Sequence, residues 1–280
     1  MNDWKCALLG IDLDGTLLDS RGKLPDRNRE ALHRAHERGV KVVVCTGRPF
    51  PEARPILEAI GLDLDAVVSC SGALISRPQT GETIRRTEFE PTALVAIRGW
   101  LSDRQLVPIW IVDDPDQQHD GFVVSGGRRH SALESWLRRT PCRIRPVDEW
   151  PSSPTPIRLA VIDEPPVLGP LAAAFEERFR EQSTVNLLRA PQYELSIMEV
   201  AAAKTSKWTA IEWLCGQWGL NPRHTAAVGD DVNDIDMLRN AGRGFAMANA
   251  KPGVAEHARE RTGANDDCGV ADVVQRCLGE

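Results

Sequence analysis

The sequence has no apolar stretch long enough to cross a membrane, and none near its start that would form the core of a secretion signal. Met1–Lys5 is polar, and the first apolar run meets Asp12. We therefore expect a cytoplasmic protein with no membrane partner. Positive charge is not in excess: 34 Lys and Arg face 40 Asp and Glu, a net charge of −6. The overall basic footprint of a nucleic-acid binder is missing. The seven cysteines (Cys6, Cys45, Cys70, Cys142, Cys215, Cys268 and Cys277) contain no C-x-x-C pair. Their odd number and their apolar surroundings read as buried, reduced thiols. The six histidines show no metal spacing, and His33 and His36 read as solvated on a polar helix face. There is no internal repeat and no low-complexity tract. What remains is an ordinary globular chain of 280 residues, 42% hydrophobic and 26% charged. That length suits one or two domains with a real core.

The most informative stretch is Ala7–Ser20. An apolar run from Ala7 to Ile11 closes on Asp12, Asp14, Gly15 and Thr16. Such a run, ended by a turn signal, reads as a buried strand. Alternate strand residues share a face, so Asp12 and Asp14 address one spot past the strand's C-terminal edge. A helix is expected over Pro25–Arg38, stopped at Gly39. A second apolar strand, Val40–Cys45, closes on Thr46-Gly47-Arg48-Pro49. A further helix runs to Ile60 and stops at Gly61, and Ala66–Cys70 is a third strand, followed by Ser71-Gly72. Strands alternating with helices at this spacing predict a parallel, helix-flanked sheet. After an interruption the pattern returns: helix Lys207–Trp218, strand Thr225–Val228 closed by Gly229-Asp230-Asp231-Val232-Asn233-Asp234, helix Asp234–Asn240 and strand Gly244–Met247.

We therefore expect an α/β fold: a doubly wound parallel-sheet core over 1–83 and 191–280, with an α+β domain inserted at 84–190. In the insert, helices are expected near Pro91–Arg104, Ser131–Arg139 and Pro165–Gln182. Strands are expected at Val107–Val112, Phe122–Val124, Arg158–Ile162 and Val185–Leu188. Polar clusters recur at three strand ends. Carboxylates gathered there repel unless a cation joins them, and oxygen-only ligands suit Mg²⁺. An EF-hand loop does not fit, because its sixth position, a glycine, is Leu17 counted from Asp12 and Ile235 counted from Asp230. For each cluster alone a plain turn or helix cap is an equal reading, with Asn233 or Asp234 as the cap before the next helix.

Asp12-Leu13-Asp14-Gly15-Thr16, Thr46-Gly47-Arg48, Lys207 and Gly229–Asp234 together resemble, in order, the four motifs of the haloacid-dehalogenase-like hydrolases. The insert lies between the second and third motifs, as in the Cof-like subgroup with a type IIB cap. Ala246–Ala250 and Asn265–Ala271 also resemble that subgroup. The resemblance implies a Mg²⁺-dependent phosphatase for a small phosphorylated metabolite, such as a sugar phosphate, a phosphoglycerate conjugate, pyridoxal phosphate or flavin mononucleotide. It implies Asp12 as nucleophile, forming an aspartyl-phosphate, and Asp14 as general acid and then base. It implies metal contacts from Asp12, the Asp14 backbone carbonyl and Asp230, with Asp234 as an anchor through water or behind the ligands. Thr46, Gly47, Lys207 and Asn233 would hold the phosphoryl group. Asp14 must then start protonated, which partial desolvation under a closed cap would favour. Lys204 competes with Lys207 for the third motif; the lysine-then-helix pattern favours Lys207. Ser71 stands where many relatives carry Asn, and Trp208 where they often carry Gly; Trp208 reads as core. Arg48 reads as a salt-bridge or loop-capping residue ahead of a phosphate contact. In the insert, Asp113, Asp114, His119, Arg128 and Arg129 read as solvated and Trp110 as core, so the substrate is not disclosed there. Two alternatives stand beside the phosphatase: a phosphomutase, and a phospho-acceptor signalling module.

Overall fold

Five residues, Leu8–Asp12, form a strand buried along its whole length (β1). A strand buried on both faces belongs in the middle of a parallel sheet, and β1 sits there. The computed structural model describes residues 4–114, 116, 118–127, 130–190 and 195–280. The chain divides into two compact units: Met1–Ile84 with Ser206–Glu280, and Arg85–Thr205.

The first unit opens with β1, α1 (Asp26–Glu37), β2 (Lys41–Cys45), α2 (Phe50–Ile60) and β3 (Ala66–Ser69). Two short strands follow, β4 (Leu74–Ser76) and β5 (Thr83–Arg86). The second unit contains α3 (Pro91–Ser102), β6 (Ile109–Val112), β7 (Gly121–Val124), α4 (Ser131–Arg139) and β8 (Ile144–Val147). It continues with β9 (Pro156–Asp163), α5 (Pro165–Phe179), β10 (Ser183–Ala190) and β11 (Leu195–Ala202). The first unit then resumes with α6 (Lys207–Trp218), β12 (Thr225–Gly229), α7 (Ile235–Asn240), β13 (Arg243–Ala246), β14 (Glu260–Arg261) and α8 (Gly269–Leu278).

The first sheet runs β14-β13-β12-β1-β2-β3-β4-β5. Its pairs from β14 to β3 are parallel, and β4 is antiparallel to β3. The chain steps outward from β1 through β2 to β3, then restarts on β1's other side with β12. That reversal leaves a crevice at the carboxyl ends of β1 and β12, the place where doubly wound sheets bind ligands.

Side-chain alternation then aims Asp12. Leu8, Gly10 and Asp12 share one face, and Leu8 packs there with Ile211 and Leu214 of α6. Residue 10 is Gly because a Cβ would lie 2.6 Å from Ile211 Cδ1. Asp12 therefore emerges on the α6 side. The start of α6 is defined by a reciprocal cap: Ser206 Oγ accepts from Thr209 N (3.2 Å), and Ser206 N donates to Thr209 Oγ1 (3.0 Å). This makes Lys207 the first helical residue. Trp208 is core, together with Cys45 and Cys215.

The second unit holds a six-stranded sheet, β10-β11-β9-β6-β7-β8, antiparallel except for β7 with β8. One face packs against α3 and α5 through Trp110, Phe122, Leu159, Phe175 and Met198. The crossing back to the first unit falls at Thr205/Ser206, later than the expected 190/191. The reason is β11, which pairs with β9 and β10. Its apolar sequence suits either sheet, so composition there does not show which sheet it joins. Asp113 and Asp114 are half-buried. Asp113 pairs with Arg86, and Asp114 accepts from the backbone of Asp116, Gln118 and His119. Arg128, Arg129 and Tyr193 lie outside the described residues.

Candidate active site

Beyond β1 the chain turns through Leu13–Leu17, with Asp14 at φ −87°, ψ 124° and Gly15 at φ 77°, ψ 1°. These angles are those of a type II turn, which needs glycine at its third position. Space imposes the same requirement, since a Cβ on Gly15 would lie 2.5 Å from the Asp230 carboxylate. Thr16 Oγ1 donates to Asp230 Oδ1 at 2.9 Å. The turn therefore brings the ends of β1 and β12 into contact.

Lys207 is fully buried, and its ammonium donates to Asp12 Oδ1 (2.5 Å) and Asp234 Oδ1 (2.6 Å). Among the described residues, Asp12 Oδ2 has no hydrogen bond. Asp234 Oδ2 accepts from the backbone N–H groups of Asp230 and Asp231 (2.9 Å each). Asp234 is thus spent holding Lys207 and the loop after β12. Asp231 caps the turn Val232–Asp234 by accepting from Val232 N, and Asp234 stands at the cap position of α7 without a side-chain hydrogen bond to that helix. Lys204, the competing lysine, is exposed and lies in the second unit.

Asp14 is turned away from this cluster. Its two oxygens accept from Arg48 Nε (2.7 Å) and Nη2 (2.8 Å), and its side chain is 49% exposed. The Asp14 carboxylate is therefore no part of the gathered acids. Thr46 follows Cys45, the partner of Asp12 in the β1–β2 ladder. It is buried, and its Oγ1 accepts from Arg48 N at 3.1 Å. That leaves its hydroxyl hydrogen for an incoming acceptor. Asn233 Nδ2 donates to Ser71 Oγ at 3.3 Å, and both lie over Gly47, where a Cβ would sit 3.1 Å from the Asn233 amide. Thr16 and Ser71 had no assigned role in the sequence reading. Thr16 lies inside the first motif; Ser71 carried only the signal of standing where relatives have Asn.

Asp12, Asp230 and Asp234 are all buried, and one ligand atom from each lies within 4.8 Å of the others. Three carboxylates against one ammonium leave an excess of buried negative charge, which costs several kcal/mol per uncompensated ion. Without a cation, protons must supply the balance. Burial, then the charge of Asp234, push the Asp12 carboxyl well above its usual range, and Lys207 offsets this only in part. Burial and Asp234 likewise raise Asp230 from 3.8 to about 7. Burial opposes the Lys207 charge, but Asp12 and Asp234 outweigh it and hold the ammonium firmly protonated. An oxygen-only set with excess negative charge fits Mg²⁺.

These shifts predict how stability follows pH. Asp12 and Asp230 bind protons more tightly in the folded state than in the unfolded one. The metal-free protein should therefore lose stability as pH rises from about 4 through about 7. Carboxyls held low act oppositely, only as pH falls below the usual range. These include Asp19, held by the Lys23 backbone N–H and Arg21, and Glu260, held by Arg243. Melting curves in EDTA should show this decline, and saturating Mg²⁺ should remove it. Identical pH profiles with and without Mg²⁺ would contradict the electrostatic assignment.

The fold and this strand-end constellation define a doubly wound α/β core with an acidic cluster at the carboxyl ends of its central strands. The sequence profile of the haloacid dehalogenase-like hydrolases matches residues 9–274, and the chain belongs to that family. YxeH of Bacillus subtilis is 30% identical over 273 residues, covering 97% of this chain and 98% of that protein. YwtE of the same organism, named a 5-amino-6-(5-phospho-D-ribitylamino)uracil phosphatase, is 27% identical, with 98% of both chains covered. The solved structure of a haloacid dehalogenase-like hydrolase from B. subtilis superimposes with a TM-score of 0.78 at 25% identity, covering 96% of this chain and 99% of that one.

Proposed function

We propose that this chain is a Mg²⁺-dependent phosphatase of small phosphomonoesters that works through an aspartyl-phosphate on Asp12. One observation carries the reading. A fully buried ammonium binds one oxygen of Asp12 and leaves the other free, at the switch point of the sheet. A carboxylate approaches a phosphate dianion only if the repulsion is offset. Lys207 supplies part of that offset, about 4 kcal/mol for one contact at ~4 Å and an effective dielectric of 20. Mg²⁺ held by Asp12, Asp230 and the Asp14 carbonyl would supply more when bound, by shielding the phosphoryl oxygens.

The chain's own groups then divide the work. Asp12 Oδ2 attacks phosphorus, and the bond to the leaving oxygen breaks. The Thr46 hydroxyl and a remaining Asn233 amide hydrogen bind phosphoryl oxygens. Asp14, released from Arg48 and protonated, gives its proton to the leaving alcohol. It next takes a proton from the water that attacks phosphorus, and Asp12 is regenerated. Asp234 touches no reacting atom and positions Lys207. The YwtE name supports a small phosphorylated metabolite as substrate.

The test is turnover of p-nitrophenyl phosphate and a panel of sugar phosphates, with Mg²⁺ and with EDTA. Release of inorganic phosphate that needs Mg²⁺ supports the reading. Activity undiminished in EDTA overturns the metal requirement. With a sugar bisphosphate as phosphoryl donor, return of the phosphoryl group from Asp12 to a sugar monophosphate in place of release as inorganic phosphate would favour a mutase, and a phosphoprotein stable for minutes without turnover would favour a signalling module.

A further inference from the structure

We propose that the segment Met247–Lys251 is a strut that sets the separation of the two acid-bearing loops, and that Asn249 is its positioning residue. This rests on the phosphatase reading above. The β1–β12 ladder extends only to the pair Ile11 and Val228. Asp12 and Asp230 lie beyond it, so the sheet alone does not set their spacing. Thr16 ties the β1 turn to Asp230 directly, and the segment after β13 adds a second connection. On the β12 side, Met247 N donates to Gly229 O (3.1 Å) and Lys251 N to Asp230 O (2.9 Å), while the Lys251 ammonium pairs with Asp231. On the β1 side, Asn249 Nδ2 donates to Gly15 O at 2.7 Å. One short stretch therefore grips both loops.

Asn249 uses both ends of its carboxamide. While Nδ2 holds Gly15, Oδ1 accepts from Asn265 N (3.0 Å), and Asn265 Nδ2 donates to Leu18 O (3.0 Å). The β1 turn is thus tied at Gly15 and again at Leu18. The backbone bonds of the strut are open to any residue except proline. The link to Gly15 is a side-chain bond, so the chemical requirement falls on residue 249: a donor and an acceptor on one short arm. Position matters here because the Gly15 backbone lies so close to the Asp230 carboxylate that a Cβ would not fit between them. A turn that drifts outward opens the carboxylate cradle, and groups that orient metal ligands typically govern affinity by 10–100-fold.

The experiment is calorimetric titration of MgCl₂ into the wild type, Asn249→Ala, Asn249→Asp and Asn249→Gln, with melting curves in EDTA alongside. Asn249→Ala and Asn249→Asp, which both lack the donor, should bind Mg²⁺ about tenfold or more weakly. Their melting in EDTA should stay near that of the wild type. Asn249→Gln, which keeps both ends of the amide, should recover part of the affinity. For p-nitrophenyl phosphate the loss should fall on kcat, with KM little changed. Equal Mg²⁺ affinity in all four proteins overturns the strut and leaves the phosphatase reading standing. A collapse of melting in EDTA with no selective loss of Mg²⁺ affinity also overturns it. A wild type that neither binds Mg²⁺ nor releases phosphate overturns the phosphatase reading itself.

Discussion

Asp12→Asn should lower phosphatase turnover by roughly 10⁴–10⁶-fold, the scale on which removal of a covalent nucleophile acts. The amide keeps the shape of the carboxylate and loses its nucleophilic charge. The fold should survive the exchange. Burial already makes the Asp12 charge unfavourable, and Lys207 keeps its second partner, Asp234, at 2.6 Å. Replacing a poorly compensated buried ion with a neutral isostere is often neutral or stabilising. In EDTA near neutral pH the variant should therefore melt at or above the wild-type temperature. Steady-state hydrolysis of p-nitrophenyl phosphate with Mg²⁺, read beside that melting curve, separates lost chemistry from lost structure. A folded Asp12→Asn protein within about tenfold of wild-type activity would remove Asp12 from the nucleophile's role.

Lys207→Met should have the largest effect on stability. Its ammonium is fully buried and bonded to two carboxylates. Deleting it leaves Asp12 and Asp234 without their counter-ion, a loss of about 3–5 kcal/mol for a broken buried ion pair. At roughly 2–4 °C per kcal/mol for a unit of this size, the melting temperature should fall by about 6–20 °C. The loss should deepen as pH rises, because the stranded acids must then ionise. Adding Asp234→Asn to Lys207→Met should recover part of the stability by removing one of those charges. Lys207→Arg should not restore activity, because a planar fork does not fill the position of a compact ammonium between two acids. Calorimetric melting of Lys207→Met and the double variant across pH checks the stabilities, and p-nitrophenyl phosphate turnover with Mg²⁺ checks Lys207→Arg. A Lys207→Met protein that melts with the wild type would mean that the triad is not energetically coupled.

Much of this was legible in the sequence because it is carried by local signals. β1, β2 and β3 are apolar runs that end in turn residues, and α6 has its cap, its periodicity and its stop at Gly219 within one stretch. Lys207 could be preferred over Lys204 because it opens that helix. The Arg48 fork on Asp14 was not legible. A motif specifies that a carboxyl is present; its fork with Arg48 depends on how two loops from different strands meet. The expected boundary at 190/191 left β11 with the first unit, since a mostly apolar strand suits either sheet until its partners are known. α8 escaped notice as a helix. It starts from Cys268 in a left-handed conformation with no side-chain cap, so the usual start signal is missing. Asn249 and Ser71 are held by side-chain bonds to residues distant in sequence, and no periodicity marks such positions.

On the proposed mechanism the phosphoryl group is carried by Asp12 Oδ2, the oxygen that Lys207 does not bind. The most direct measurement is to mix the Mg²⁺-loaded protein with a phosphomonoester, quench within the first turnover, reduce with borohydride and map the chain by mass spectrometry. An acyl-phosphate at Asp12 would be reduced to homoserine at position 12 alone, and only when substrate was present. An unmodified Asp12 under conditions of rapid phosphate release, or reduction at a different carboxyl, would contradict the account.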